Sequence, residues 1–188
     1  MTAAARRYPT EPLAFVAWEN RQKRRYELVG GEVRLMSGGS AGHDLIATNL
    51  ITALGTALAG RPCFVHGSNL KLRSPIGMVT YPDLFVRCGQ PLDDEALEAT
   101  DPILIVEVLS PSTRGVDLVT KRWAYQAIPS LQALIYVETR ISKVEIVIRA
   151  EDGSWTGRFI ESRGASIFLP LLEASLTIDA IYSGTRVA

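Results

Sequence analysis

The chain has 188 residues, of which 47% are hydrophobic and 21% charged, and its 20 Lys and Arg residues balance its 20 Asp and Glu residues. A formal net charge of zero argues against a protein that coats nucleic acid without specificity, although it is compatible with a local basic groove. A chain of this length is expected to bury roughly 70% of the surface of its unfolded form. We therefore expect a single domain over residues 1–188.

The sequence carries no pattern typical of membrane insertion or secretion. No apolar run approaches the ~20 residues of a membrane span. The opening segment MTAAARRYPTEP lacks the apolar stretch of a signal peptide. We therefore expect no membrane partner and a cytoplasmic location.

The chain contains two cysteines, Cys63 and Cys88, and neither has a CxxC partner. We therefore expect no disulfide framework. With His66 they form only a weak candidate for a zinc site, because three ligands at loose spacing are not a zinc motif.

The first third of the chain predicts a short helix, a hairpin and a long helix. Pro12 to Gln22 is a short packed helix, since Pro is favoured at a helix start. Two alternating runs within Tyr26–Leu35 flank Gly30-Gly31, which is typical of a tight β-hairpin. Helical spacing of apolar residues then runs from a Ser40 cap through Ala59.

Strands dominate the remainder, with one more helix. Cys63–Leu72 and Val79–Val86 are predicted strands, and Ile103–Leu109 is a continuous apolar run typical of a central strand covered on both faces. A helix is expected from about Val116 to Ala127. Later strands are predicted at Leu131–Glu138, Lys143–Arg149 and Trp155–Glu161, with short pieces at 167–169 and 175–178. This order favours an α+β fold, a central mixed sheet flanked by two helices with an N-terminal hairpin.

Two acids in apolar strands are the strongest indication of chemistry. Glu107 interrupts an apolar run, and Asp83 follows Tyr81-Pro82 before another apolar run. A single acid of this kind is often only a salt-bridged strand residue. If the two strands pair, however, facing carboxylates lie about 5 Å apart. They then repel each other unless one is protonated or a cation joins them. Oxygen ligands in this number suit Mg²⁺, which points to metal-assisted hydrolysis of a phosphodiester.

The helix after Glu107 carries the pattern Asp117-x-x-x-Lys121. On spacing alone the pattern favours an ion pair between the two residues, worth ~0.3–0.5 kcal/mol. The alternative is that Lys121 reaches back over the carboxylates and stabilises charge on phosphorus. Tyr125 shares its helix face.

Several segments together carry a resemblance to a known family: Tyr26–Val33, His43, Pro82–Val86, Val106–Thr113 and Asp117-x-x-x-Lys121-x-x-x-Tyr125. They are similar to the Uma-two family of restriction endonucleases, in the PD-(D/E)xK nuclease-like superfamily. The match runs from about Pro12 to Val147.

The resemblance implies a restriction-endonuclease-like core over about residues 12–150, with a C-terminal β extension at 151–188. It implies that Asp83 and Glu107 bind metal and that Lys121 is the catalytic lysine, displaced onto the helix. Glu27 matches an additional acid of the site, and His43 matches a recurrent histidine of the second helix.

One departure from the superfamily pattern concerns the lysine. The position two residues after the acid, which holds lysine in the superfamily, is Leu109 here. The chemistry therefore depends on Lys121 entering the site from elsewhere.

The sequence leaves three functional hypotheses open. The first is a DNA endonuclease that uses Mg²⁺, with Mn²⁺ as a substitute, and that acts as a homodimer because cutting two strands favours two-fold symmetry. The second is a catalytically silent DNA-binding or oligomerising module of the same fold. The third is a metal-dependent hydrolase of a smaller phosphoester. The basic stretch Arg21 to Arg25 either contacts a phosphate backbone or forms a solvated helix end.

Overall fold

The structure is a computed structural model that describes residues 8–111, 115 and 117–187, with the backbone alone at residue 117. In this part of the chain, no helix has the length and apolar character needed to cross a membrane.

The N-terminal elements follow the predicted order. Helix α1 (Pro12–Glu19) begins where the Glu11 carboxylate accepts backbone N–H bonds from Leu13 and Ala14. Strands β1 (Tyr26–Val29) and β2 (Glu32–Leu35) pair antiparallel. Gly30 and Gly31 have φ of 61° and 79°, a conformation that both turn residues of this hairpin type need and that glycine adopts without strain. The predicted hairpin is confirmed.

Helix α2 (Ala41–Ala57) is the longest helix of the described residues, and Ser40 caps it by accepting the N–H of His43. Its apolar stripe, including Ile46, Leu50 and Leu54, is fully buried. The predicted start is confirmed, and the helix ends two residues before Ala59.

A six-stranded mixed sheet forms the centre of the fold. Its strands, in chain order, are β3 (Cys63–Gly67), β6 (Leu84–Cys88), β8 (Leu104–Leu109), β9 (Ala133–Glu138), β10 (Val144–Arg149) and β11 (Trp155–Ile160). Their order across the sheet is β11-β10-β9-β8-β6-β3. Strands β8 and β9 are parallel, and the other neighbours are antiparallel. Every residue of β8 is buried, as its continuous apolarity predicts.

A second sheet joins β1 and β2 to the short strands β4 (Lys71–Arg73), β5 (Val79–Thr80) and β7 (Glu98–Ala99). Their order across this sheet is β2-β1-β5-β4-β7. The prediction of two long strands at Cys63–Leu72 and Val79–Val86 is therefore wrong, because each of these segments is divided between the two sheets. A turn follows Gly67 in the first. In the second, Pro82 has no N–H for a ladder, and the chain changes sheets there.

The helix predicted from about Val116 to Ala127 has a mixed geometry. A π-helical turn (Asp117–Lys121) leads into helix α3 (Arg122–Gln126). Residue 116 lies outside the described residues.

Both faces of the central sheet are covered. Helix α2 packs on one face with helix α4 (Ile178–Ile181) and the hairpin of β12 (Ser166–Leu169) and β13 (Ala174–Thr177), beside a 3₁₀ turn at Pro170–Leu172. Helix α3 packs on the other face, where Tyr125 contacts a cluster that includes Phe85 and Ile105. The predicted α+β class with a mixed sheet flanked by helices is confirmed.

Cys63 and Cys88 form a disulfide, so the expectation of no disulfide framework is wrong. The two residues are direct partners in the antiparallel pairing of β3 with β6. Side chains of directly opposed residues point to the same face, which brings the two sulfur atoms together. A disulfide also removes both thiolates from the weak zinc candidate.

Candidate active site

The structure brings all the predicted site residues to one cavity of about 580 Å³. They come from separate elements: Glu27 from β1, His43 from the first turn of α2, Asp83 from the residue before β6, Glu107 from β8 and Lys121 from the π-helical turn. The cavity lies where the two sheets meet, because β1 and β8 belong to different sheets.

Asp83 and Glu107 lie side by side because of strand register. Leu84 of β6 is opposite Val106 of β8 in an antiparallel pair, so one further step places Asp83 opposite Glu107. The Oδ2 atom of Asp83 also accepts the backbone N–H of Val108 at 2.7 Å. This bond extends the interstrand contact beyond the last ladder pair and fixes the Asp83 carboxylate beside β8.

Glu107 is almost fully buried and its Oε1 atom accepts two hydrogen bonds. Lys121 Nζ donates to it at 3.3 Å, and Tyr125 Oη donates at 2.7 Å. Burial, reinforced by the negative charge of Glu107, raises the pKa of Tyr125 well above its ordinary value. The phenol therefore stays protonated and remains a donor to the carboxylate. Its oxygen also lies 3.0 Å from Thr80 Oγ1, which holds the ring from the second sheet.

Lys121 joins acids from the two sheets. Its Nζ atom lies 3.3 Å from Oε1 of Glu27 and 3.3 Å from Oε1 of Glu107. The Asp117 side chain, the partner favoured by spacing, lies outside the described residues. Leu109, which occupies the superfamily's lysine position, is buried in the core instead. The structure thus places an ammonium group at the acids from the helix rather than from the strand.

Glu27 is tied to a second buried polar cluster that the sequence analysis missed. Its Oε1 atom accepts the backbone N–H of Tyr81 at 2.9 Å, and the Tyr81 hydroxyl donates to Oε1 of Glu19 at 2.9 Å. Glu19 in turn forms an ion pair with Lys71 at 3.1 Å, and both side chains are buried. We name Glu19, Lys71 and Tyr81 the anchor cluster. The only signal in the sequence was an acid at the end of a predicted helix, which does not reveal a partner 52 residues away.

His43 contacts Asp83 from the start of α2, with Nε2 3.3 Å from Oδ1. The hydrogen bond to Asp83 raises the pKa of His43, partly offset by burial. A Cβ atom on Gly39 would lie 2.7 Å from Nδ1 of His43. A side chain at position 39 therefore requires the imidazole to move away from its place beside Asp83.

The donor atoms at this site fit a hard divalent cation. No group of three or more His, Cys, Asp or Glu side chains within the described ranges is arranged to hold a metal ion. Asp83 and Glu107 nevertheless offer facing carboxylates, and Mg²⁺ typically takes one or two carboxylates and completes its shell with water and phosphate oxygens. Lys121 places a positive charge beside Glu107, so this buried carboxylate is paired.

The combination of mixed sheets, flanking helices and an acid cluster with one lysine defines the class of protein, a nuclease-like α+β fold. A crystal structure described as a "putative nuclease belonging to DUF820" from Anabaena variabilis shares this fold. It has a TM-score of 0.68 and 15% identity, and the match covers 86% of this chain and 92% of the other.

A family model identifies the particular group. Uma2, described as "Putative restriction endonuclease", matches residues 12–180, and the chain belongs to this family. The resemblance drawn from the sequence segments is confirmed.

Two relatives from Synechocystis sp. extend the comparison. The chain is 33% identical over 177 residues to the uncharacterized protein slr1290, covering 92% of this chain and 91% of that protein. It is 29% identical over 140 residues to the uncharacterized protein sll1609, covering 73% of this chain and 79% of that protein.

Proposed function

We propose that this chain is a metal-dependent endonuclease that hydrolyses DNA phosphodiester bonds, using Mg²⁺ with Mn²⁺ as a substitute. The observation that carries the proposal is the facing position of Asp83 and Glu107, with Lys121 at 3.3 Å from Glu107. Membership of a family described as restriction endonucleases and a nuclease-like fold support a nucleic-acid substrate.

Each residue has a role that follows from its contacts. Asp83 and Glu107 would hold the cation, which when bound lowers the pKa of a coordinated water and offsets charge on the phosphoryl oxygens. Tyr125 and Val108 orient these carboxylates by donating to them. Lys121 carries a positive charge at the edge of the same cavity, where it stabilises negative charge that develops on phosphorus.

Glu27 and His43 complete the proposed site. Glu27 shares the ammonium of Lys121 and is a candidate additional ligand or water holder. His43 restrains the second carboxylate oxygen of Asp83. We further propose a homodimer, since cleavage of both strands favours two sites related by symmetry, and a cytoplasmic location.

A second function is favoured by one specific observation. The Lys121 ammonium already lies between Glu27 and Glu107, and an internal cation can stabilise an acid pair without any metal. This arrangement supports a catalytically silent DNA-binding or oligomerising module of the same fold.

Cleavage of supercoiled plasmid in Mg²⁺, in Mn²⁺ and in EDTA separates the two functions. The wild type is expected to nick DNA only with a divalent cation, and Asp83→Asn and Glu107→Gln are expected to lower the rate at least about a hundredfold. Glu161→Gln is the matched control, because Glu161 is exposed and pairs with Lys143 outside the cavity. Absence of nicking by a folded wild type with either cation would favour the silent module.

A further inference from the structure

Two cavities meet at the acid cluster. The cavity of about 580 Å³ contains Glu107 and Lys121. A neighbouring cavity, of about 730 Å³, is lined by the start of α2 and by the residues before β1. Asp83, His43 and residues 35–40 line both cavities. We name the two together the trough, and Asp83 lies at the junction of its two arms.

Each arm of the trough contains an exposed arginine that has no counter-ion among the described residues. Arg24 lines the larger arm and Arg140 lines the smaller arm. Neither side chain forms a hydrogen bond or an ion pair with the part of the chain that the structure describes.

The other arginines of the trough are engaged. Arg25 donates to the Ser68 carbonyl at 3.1 Å and lies over the Tyr81 ring. Arg34 pairs with Glu32 at 2.8 Å. The chain as a whole has no net charge. The two guanidinium groups without a counter-ion among the described residues therefore provide positive charge locally, within the trough. Guanidinium groups bind phosphate oxygens through paired N–H donors.

Part of the wall shared by the two arms is made of small residues. Ser37, Gly38 and Gly39 line both arms, and the Cβ position of Gly38 has no atom within 4 Å. This stretch leaves room for an extended chain to pass from one arm to the other, next to the bulkier Leu35, Met36 and His43, which also line both arms.

We propose that the trough holds a polynucleotide backbone, with Arg24 contacting a phosphate on one side of the reacting diester and Arg140 contacting a phosphate on the other side. This inference rests on the proposed function, since it places the reacting diester at Asp83 and Glu107. It also specifies the substrate class. The ligand is a polynucleotide with phosphates on both sides of the bond, rather than a small phosphoester or a terminal phosphate.

Equilibrium binding tests the inference without requiring cleavage. A fluorescein-labelled DNA duplex is titrated in EDTA with Glu107→Gln protein, and the dissociation constant is measured by anisotropy over a range of salt concentrations. Adding Arg24→Gln or Arg140→Gln to this background is expected to weaken binding about fivefold to tenfold near 0.1 M salt. Each change should reduce the slope of log K against log salt by about 0.9, the value for one lost phosphate contact with a duplex.

The matched control is Arg158→Gln, which removes the same charge from an exposed position on β11 that lines neither arm. It is expected to leave the slope at the background value. Slopes for Arg24→Gln and Arg140→Gln equal to that of the control would overturn the inference, as would failure of the background protein to bind the duplex. If the slope changes for only one of the two arginines, the claim that phosphates are contacted on both sides of the reacting diester is overturned.

Failure of this inference is distinguishable from failure of the proposed function. If the protein nicks plasmid but its affinity for DNA does not depend on Arg24 and Arg140, it is a nuclease that binds the DNA backbone along a surface other than the trough. A protein that never nicks but loses one phosphate contact with each arginine uses the trough as a DNA-binding surface only.

Discussion

The Oε1 atom of Glu107 is the point at which the residues of the site meet. It accepts from Tyr125 at 2.7 Å and from Lys121 at 3.3 Å, and its strand neighbour Val108 donates to Asp83. A buried carboxylate is tolerated only when it is paired and hydrogen-bonded. These donors fix the Glu107 carboxylate on β8, where the strand register places Asp83 opposite Glu107.

Tyr125→Phe removes the hydroxyl donor and leaves the packing of the ring unchanged. A hydrogen bond to a charged group is worth about 1.5–3 kcal/mol, so we expect at least roughly tenfold slower cleavage in single-turnover assays. Tyr182→Phe is the control, because Tyr182 is buried and donates to backbone carbonyls away from the cavity. Equal rates for the two variants at matched stability would contradict this role of Tyr125.

Lys121→Gln separates metal binding from catalysis. The ammonium group competes with a cation for the oxygens of Glu27 and Glu107, so the variant is expected to bind Mn²⁺ more tightly in calorimetry while it cleaves at least about tenfold more slowly. Without metal, the melting temperature of the variant should be lower than that of the wild type. Mn²⁺ should raise the melting temperature of the variant by more than it raises that of the wild type. Lys143→Gln, outside the cavity, is the control. Unchanged metal affinity would contradict the shared use of these oxygens.

At the residue scale, the sequence singles out Glu107 and Asp83 because an acid within an apolar run is costly to bury unless it is paired or binds a cation. The structure places both residues at one cavity. For Lys121, helical spacing favours Asp117 over the carboxylates, because Glu27 and Glu107 lie on strands that are distant from it in sequence. His43 entered only through the family resemblance. Glu19 was missed because nothing near it in sequence shows what it contacts.

At the level of elements, α1 is docked by the anchor cluster. Tyr81 Oη and Lys71 Nζ both contact the Glu19 carboxylate, and Phe15 of the same helix is fully buried. The backbone N–H of Tyr81 donates to Glu27. The end of α1 thereby holds the segment that leads into Asp83.

Glu19→Gln tests the docking of α1. Breaking a buried ion pair by removing one partner costs about 3–5 kcal/mol, because the other charge remains buried. We expect the midpoint of urea unfolding to fall accordingly. The double variant Glu19→Gln/Lys71→Met should recover more than half of the loss, since no buried charge is left. A double variant less stable than Glu19→Gln would show that the pair is not the source of the effect.

The disulfide between β3 and β6 is a second element-level prediction. Protein unfolded in denaturant without reductant and treated with iodoacetamide should show no mass increase, because both Cys63 and Cys88 are paired. Reduction before alkylation should add one adduct to each cysteine, and it should lower stability by about 2–4 kcal/mol. Adducts in the unreduced sample would contradict the pairing.

Elements were predicted well where periodicity was long and poorly where the chain changes sheets. The hairpin at Gly30-Gly31 and the buried strand β8 follow from local patterns. The division of Val79–Val86 at Pro82 depends on a second sheet that local patterns do not reveal. The pairing of Cys63 with Cys88 requires the register of β3 against β6, which is a property of the assembled sheet.

At the scale of the whole molecule, the site depends on how the two sheets meet. Glu27 comes from one sheet and Glu107 from the other, and the helix that covers the central sheet supplies Lys121 between them. Because the chain has zero net charge, the phosphate recognition that we propose depends on the local charges of the trough. The fold class can be predicted from the order of helices and strands in the sequence. The junction between the two sheets cannot, because it depends on which strands pair in the folded chain.

The most direct test of the account is a calorimetric titration of Mn²⁺ into the wild type and into Glu107→Gln, with plasmid nicking measured on the same samples. We predict binding by the wild type, affinity at least about tenfold weaker in Glu107→Gln, and nicking only by the wild type. Circular dichroism of both proteins verifies that they are folded. A folded wild type that binds no Mn²⁺ would contradict the account. Glu107 would then be a structural carboxylate held by Lys121 and Tyr125, and Asp83 would be one held by Val108 and His43.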